Sequence, residues 1–66
     1  MIKPGSLVEI TRLMIKYNFA SIGVYSKESP PIGLIIEAGA YPYGASWKVL
    51  FGDQYRDISN ADMKEL

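Results

Sequence analysis

Hydrophobic and polar positions alternate in several short stretches of the chain, and one stretch near the middle is almost wholly apolar. This central run, residues 32–37 (IGLIIE), contains three isoleucines, whose β-branched side chains favour an extended backbone. Pro30 and Pro31 precede the run and disfavour a helical approach to it. Because the run is too short for a helix and Gly39 follows it, the pattern predicts a strand at the centre of a small β-sheet.

Side chains of a strand point alternately to the two faces of its sheet, which divides the central run into two sets. Leu34 and Ile36 fall on one face, and Gly33, Ile35 and Glu37 fall on the other. A charged residue is typical of the wetter face, so Glu37 marks the second set as the less buried one. We therefore expect Leu34 and Ile36 in the core and Ile35 at a partly covered position.

Four more strands and one helical turn are predicted from alternation and from turn residues. Val8 and Ile10 alternate with polar neighbours, as in a half-buried strand. Gly52 begins a tight turn that predicts a hairpin between the third and fourth strands. Ser59 or Asn60 can cap a single helical turn. The predicted strands are residues 7–12, 32–37, 46–51, 55–58 and 63–66, and the predicted helical turn is residues 60–62.

The segment between the first two strands, residues 13–31, is predicted to be a long loop. It has room for a helical turn in residues 13–17 and a short extended piece in residues 22–25, and it ends in a polar, proline-terminated connection. Its apolar residues are too many for the core of so small a sheet. We expect several of them to form an exposed apolar patch, and we predict that residues 13–31 build a docking surface together with Tyr41, Tyr43 and Trp47.

The inward-facing positions of the strands predict one contiguous core. Leu7 and Ile35 are expected to be less buried than its members. Gly52 is expected at positive φ, where any side chain would clash, and Gly33 is expected to let another segment approach closely. The predicted core consists of Val8, Ile10, Leu34, Ile36, Val49, Phe51 and Ile58.

A chain of 66 residues makes a single domain, residues 1–66, near the size at which one apolar core only just offsets chain entropy. It has no cysteine and no histidine, so a disulfide framework, structural zinc and haem ligation are not expected. The hydrophobic content of 48% is compatible with a self-sufficient core or with stability gained from an assembly partner. We favour the second of these.

Charge and hydropathy narrow the set of partners. Seven basic residues balance seven acidic ones, whereas a typical single-domain nucleic-acid binder is visibly basic. The first residues lack the apolar core of a signal peptide, and no apolar stretch of roughly 18 residues could span a bilayer. The composition therefore predicts a soluble, intracellular protein without a membrane span, and a nucleic-acid partner is not expected.

The predicted order of elements resembles that of SH3-like small β-barrels, and the resemblance covers nearly the whole chain. It is carried by residues 5–10 (GSLVEI), 32–36 (IGLII), 48–53 (KVLFGD) and 58–63 (ISNADM). Short barrel proteins of tailed phages and the SH3-like subunit of photosystem I are two groups that the chain looks like. The resemblance implies an all-β fold, an SH3-like small barrel of about five strands, with a long first loop and one short helical turn before the last strand.

Two other groups of small barrels are less similar to this chain. Peptide-binding SH3 domains carry an aromatic motif in the first strand, and this chain lacks that motif. Their groove tyrosine stands where this chain has Ala61. Ribosomal KOW-type barrels have a basic surface, and residues 33–35 are the only trace of their glycine-valine signature. Polyproline recognition is therefore not expected.

Residues suited to catalysis are few. The chain has no histidine, no cysteine, no glycine-rich phosphate loop and no nucleophile elbow. Asp53 and Asp57 could form a carboxylate pair, but Asp53 beside Gly52 is typical of a turn and Asp57 of a solvated strand position. We predict that the chain is not an enzyme, with no catalytic, cofactor-binding or metal-binding residue and no small-molecule substrate.

Aromatic side chains are the strongest candidates for binding, because tyrosine and tryptophan supply large, rigid contact area. One alternative is that Trp47 covers an end of the barrel with the tyrosines packed over it. Another is a stacking platform for single-stranded nucleic acid. The predicted partner-binding residues are Tyr17, Phe19, Tyr25, Tyr41, Tyr43 and Trp47.

The predicted function is that of a non-catalytic structural or adaptor module that docks onto a larger protein assembly, either on another protein or as a homo-oligomer. The resemblance makes a phage virion the preferred setting and a photosynthetic complex the alternative. A small nucleic-acid-associated barrel is the second class of function. Salt-dependent retention on a nucleic-acid column would indicate that class, because phosphate contacts release counterions.

Overall fold

The computed structural model describes residues 1–23, 28–40, 42 and 44–66 of the chain, and these residues form mostly β-sheet. The strands are β1 (Leu7–Ile10), β2 (Ile32–Ala38), β3 (Ser46–Phe51), β4 (Gln54–Ser59) and β5 (Met63–Glu65). Short 3₁₀ turns lie at Ile15–Tyr17, Phe19–Ser21 and Asn60–Asp62. The predicted all-β fold with a helical turn before the last strand is confirmed.

The five strands form one antiparallel sheet in the order β4-β3-β2-β1-β5. Because β4 and β5 stand at the two ends of this order, the sheet of the described residues is open and is not closed into a barrel, although the small five-stranded all-β fold agrees with the prediction. The loop between β1 and β2 meets the free edge of β4, where the backbone N–H of Ser59 donates to the Tyr17 hydroxyl over 3.0 Å. A side chain thus takes the place of a strand partner at this point.

The predicted boundaries of the second half of the chain are largely confirmed. Strand β3 covers the predicted residues, and Gly52 has a φ of +63° in the turn that follows it. The Ser59 hydroxyl oxygen caps the last helical turn by accepting from the N–H of Ala61 at 3.4 Å. Strand β1 ends two residues earlier than predicted, because the N–H of Thr11 donates to the backbone oxygen of Asp62 rather than to a strand.

The core lies on one face of the sheet, which we call the inner face. Five predicted core residues are confirmed, each at most 2% exposed: Val8, Ile10, Val49, Phe51 and Ile58. The other buried apolar side chains of the same cluster are Tyr17, Phe19, Ile35, Trp47 and Met63. Leu7 is 53% exposed, as predicted.

The prediction for the central strand chose the wrong face. Ile35 is 1% exposed and belongs to the core, whereas Leu34 is exposed and Ile36 is half-buried. The cause is a register shift in β2: Ile35 lies opposite Val49 but Glu37 lies opposite Lys48, which leaves Ile36 as an extra residue. Glu37 therefore lies beyond the irregularity and is no guide to the face on which Ile35 lies.

Gly33 marks the place where β2 approaches the core side chains of β3, as predicted. A β-carbon at this position would lie 2.8 Å from a ring carbon of Phe51 and even closer to Val49. Real β-carbons do not come so near, so the absent side chain of Gly33 is what lets these two residues fill the inner face.

Truncation of Ile35 tests the corrected face. Ile35→Ala should lower the free energy of unfolding by about 2–5 kcal/mol, because it removes buried methyl groups and leaves a cavity. Leu34→Ala, on the opposite face of the same strand, is the matched control and should cost less than half as much. Urea denaturation followed by circular dichroism measures both values, and a larger loss for Leu34→Ala would contradict the corrected face.

Candidate protein-interaction surface on the first loop

The first loop, residues 11–31 between β1 and β2, is built from two consecutive 3₁₀ turns in its described part. Asn18 joins the turns with a φ of +53°, a left-handed conformation that asparagine tolerates better than most residues. The N–H of Asn18 donates to the Ile15 carbonyl and the N–H of Ile22 to the Phe19 carbonyl, each at 2.9 Å. These bonds give this part of the loop regular, locally closed structure.

Two aromatic side chains fix the loop to the sheet. The Phe19 ring meets the Phe51 ring edge-on, with centroids 5.3 Å apart and an interplanar angle of 83°. The Tyr17 ring lies 5.7 Å from the Phe19 ring at an angle of 59°. Aromatic pairs of this geometry contribute about 0.5–1.5 kcal/mol each beyond the area they bury. The first loop therefore forms the second layer of the core.

The Tyr17 hydroxyl is part of a buried polar network. It donates to Asp62 Oδ2 over 2.5 Å and accepts from the N–H of Ser59. Arg12 Nη1 lies 3.4 Å from the other carboxylate oxygen of Asp62, which is itself buried. Burial, and next the hydrogen bond to Asp62, raise the pKa of Tyr17 above its ordinary value of 10.0. Tyr17 therefore remains a neutral donor throughout the physiological range.

Arg56 ties the same loop to β4. Its Nε donates to the Tyr17 carbonyl at 2.8 Å, and its Nη2 donates to the Ser21 hydroxyl at 2.6 Å. Its Nη1 donates to the Tyr55 carbonyl in its own strand at 2.7 Å. One guanidinium group thus holds both 3₁₀ turns, and its planar set of donors suits it to three acceptors at once.

The opposite side of the loop presents apolar side chains to solvent. Leu13, Met14 and Ile15 are 40%, 37% and 96% exposed, and we call these three residues the first-loop surface. Together with Phe19 and Gly23 they border a groove of about 370 Å³. Contiguous exposed apolar residues are typical of sites that contact another molecule.

The structure places three of the predicted partner-binding residues in the core. Tyr17, Phe19 and Trp47 are 5%, 7% and 3% exposed, so their side chains contribute mainly to the core, although Phe19 also borders the groove of the first loop. Large aromatic side chains bury the most apolar area per residue, which a short open sheet needs. The other three predicted residues lie outside the part of the chain that the structure describes: Tyr25, Tyr41 and Tyr43.

The sequence predicted an exposed apolar patch on this loop, whereas the individual partner-binding residues that it predicted were all aromatic and did not include Leu13, Met14 or Ile15. A usable signal was present, since Leu13, Met14 and Ile15 are consecutive and apolar in a segment without alternation. The 3₁₀ turn begins only at Ile15, and Leu13 and Met14 precede it in backbone without regular structure, so no periodic pattern assigns their side chains to a buried face.

The described residues contain no group of three or more histidine, cysteine, aspartate or glutamate side chains that could hold a metal ion. The Asp57 carboxylate accepts from the N–H of Ala40 at 3.1 Å and from the Ser46 hydroxyl at 3.4 Å. Asp57 of β4 thereby holds the connection between β2 and β3 in place. No helix in the described ranges has the length and apolarity needed to cross a bilayer.

No family model, curated protein or solved structure matches this chain. Its function is therefore inferred from the described surfaces and their chemistry.

The alkaline stability of the protein tests the Tyr17 network. Because folding raises the pKa of Tyr17, the stability that its neutral form contributes is present below pH 10.0 and is lost as pH rises through the raised value. Tyr17→Phe should therefore lose less of its free energy of unfolding at alkaline pH than the parent does. At neutral pH it should cost about 1–3 kcal/mol, because buried Asp62 loses a donor.

Urea unfolding at a series of pH values, from neutral to beyond the ordinary tyrosine pKa, measures this effect. Tyr55→Phe is the matched control, since Tyr55 is 53% exposed and lies outside the network, and it should keep the parental stability at neutral pH. An alkaline loss of the same size in Tyr17→Phe and in the parent would show that the network does not link tyrosine ionisation to folding.

Proposed function

We propose that this chain is a non-catalytic adaptor module that docks onto a larger protein assembly, with a tailed-phage particle as the setting. One observation carries the proposal: the first-loop surface exposes three adjacent apolar side chains on a loop that is anchored to the core. Ile15, at 96% exposed, is the most exposed of the three. Covering such a side chain with a partner is favourable by roughly 1.5–3 kcal/mol.

The anchoring of the loop supports a binding role. Tyr17 and Phe19 hold it from the core side, and Arg56 holds both of its turns from β4. A surface that is already ordered loses little conformational entropy when a partner binds, which leaves more of the contact energy for affinity. Exposed loops on a rigid scaffold are common binding elements for this reason.

The strand order supports the resemblance to SH3-like barrels, on which the phage setting rests. The sheet runs β4-β3-β2-β1-β5, with the long loop between β1 and β2 and a helical turn directly before β5. These features match the order of elements that the sequence predicts for such a domain. Assembly proteins of this size commonly depend on contacts with larger partners, because a small domain buries little apolar area by itself.

Charge favours a protein partner over a nucleic acid. The net formal charge is zero, and on the sheet Lys64 pairs with Glu9 at 3.2 Å and Lys48 with Glu37 at 3.1 Å. A nucleic-acid surface needs cations that are free to replace counterions along the phosphates. Because these two lysines are paired with carboxylates, they contribute less positive electrostatic potential for binding a nucleic acid.

Substitution of the most exposed residue of the first-loop surface tests the proposal. Tagged parent and Ile15→Ser chains would be expressed in the native source, and their incorporation into purified particles would be compared. Ile15→Ser should weaken docking by about tenfold or more, equivalent to at least ~1.4 kcal/mol of contact energy. Its free energy of unfolding should change by no more than about 0.5 kcal/mol, because the side chain is exposed in the free protein.

Leu66→Ser is the matched control, since Leu66 is 62% exposed and lies outside the first loop. This substitution should leave incorporation unchanged. Incorporation of Ile15→Ser at the parental ratio would show that the first-loop surface is not the docking site. Retention of the parent on a DNA column, with release by moderate salt, would favour the nucleic-acid alternative.

A further inference from the structure

The first-loop surface lies between two points at which the chain is bonded to the same residue, Asp62. On its amino-terminal side, the N–H of Thr11 donates to the Asp62 carbonyl oxygen at 2.8 Å, and Arg12 Nη1 lies 3.4 Å from Asp62 Oδ1. On its carboxyl-terminal side, the Tyr17 hydroxyl donates to Asp62 Oδ2 at 2.5 Å. Asp62 therefore connects both ends of the segment that carries the first-loop surface.

Asp62 is itself fixed in the fold. It is 4% exposed, and it ends the last 3₁₀ turn, Asn60–Asp62, which Ser59 caps at its amino-terminal end. The next residue, Met63, lies opposite Ile10 in the sheet and is 6% exposed. Both carboxylate oxygens of Asp62 have a partner, as a buried carboxylate requires. Asp62 is therefore a defined point to which the loop is attached.

The backbone hydrogen bonds of the first-loop surface within the described ranges are local to the loop. The Met14 carbonyl accepts from the N–H of Tyr17 at 3.1 Å, and the Ile15 carbonyl accepts from the N–H of Asn18 at 2.9 Å. Bonds that span three residues shape a turn but do not set its position relative to a sheet. Leu13 and Met14 lie in backbone without regular structure. The position of the surface therefore depends on how its two ends are held.

We infer that Asp62 is a positioning residue for docking, because it fixes the two ends of the first-loop surface relative to each other. Arg56 and the ring of Phe19 also hold the carboxyl-terminal end, but Asp62 is bonded to both ends. The inference rests on the proposed function, since it concerns the same surface. A surface that is already held in one arrangement loses less conformational entropy when a partner covers it, so docking should be tighter with the Asp62 carboxylate than without it.

A role of Asp62 in positioning the surface differs measurably from a role in overall stability alone. If Asp62 positions the surface, loss of its carboxylate opens the loop locally, and the amides of Tyr17 and Asn18 exchange their hydrogens faster. If it only stabilises the fold, exchange changes only at amides that open by global unfolding, such as that of Val49 in β3. The amides of the two loop residues therefore distinguish the two roles.

Hydrogen exchange of the free Asp62→Ala chain, followed by NMR, tests the inference. The amides of Tyr17 and Asn18 should exchange about fivefold faster than in the parent or more, because the loop loses a hydrogen bond and an ion pair to a charged group. Tagged Asp62→Ala chains should also be incorporated into purified particles at a ratio lower by about fivefold or more, because the partner must then order the surface.

Glu65→Gln is the matched control, since its carboxylate accepts from the Ser6 hydroxyl at 2.9 Å, outside the first loop, and it should leave both measurements unchanged. Parental exchange at Tyr17 and Asn18 in a folded Asp62→Ala chain would overturn the inference. Faster exchange with incorporation at the parental ratio would overturn it as well.

If Asp62→Ala loses its β-sheet circular dichroism spectrum, Asp62→Asn decides the question by the same two measurements, because it keeps the size of the side chain and one acceptor oxygen. Failure of the proposed function is recognised separately. Ile15→Ser incorporated at the parental ratio would contradict that function, whereas the exchange rates test the role of Asp62 in ordering the loop without any partner present.

Discussion

The packing of the first loop against the inner face of the sheet is the interaction on which the rest of the structure depends. A sheet buries only one face and needs a second layer to cover it. In this chain Tyr17 and Phe19 supply that layer, where Phe19 meets Phe51 edge-on. The Tyr17 hydroxyl then satisfies the N–H of Ser59 at the free edge of β4, so the loop stabilises both the inner face and an edge of the sheet.

This arrangement gives the first loop two sides with different roles. The side that faces the sheet holds the aromatic residues and the acceptors for Arg56, and it is part of the core. The side that faces solvent holds Leu13, Met14 and Ile15. The order created by the first side is what makes the second side a defined surface, because an unanchored loop would have to be ordered by its partner at an entropic cost.

The sequence by itself determined the local elements of this protein. Prolines, glycines and the alternation of apolar residues were sufficient to predict five strands, the hairpin turn at Gly52 and the last helical turn, because these depend on residues close together in the chain. Gly33 was also interpreted correctly as a point of close approach, since an unneeded glycine weakens a strand.

Tertiary structure decided which faces are buried. The irregularity at Ile36 reversed the prediction for β2, because one extra residue moves the following side chains to the other face and leaves no mark in the alternation itself. Tyr17 and Phe19 entered the core because they cover the inner face of the open sheet, which depends on contacts between residues far apart in sequence. The alignment of Leu7, Leu34 and Tyr55 on the outer face arises only from the register of four strands, and register is a property of the paired strands that no single segment contains.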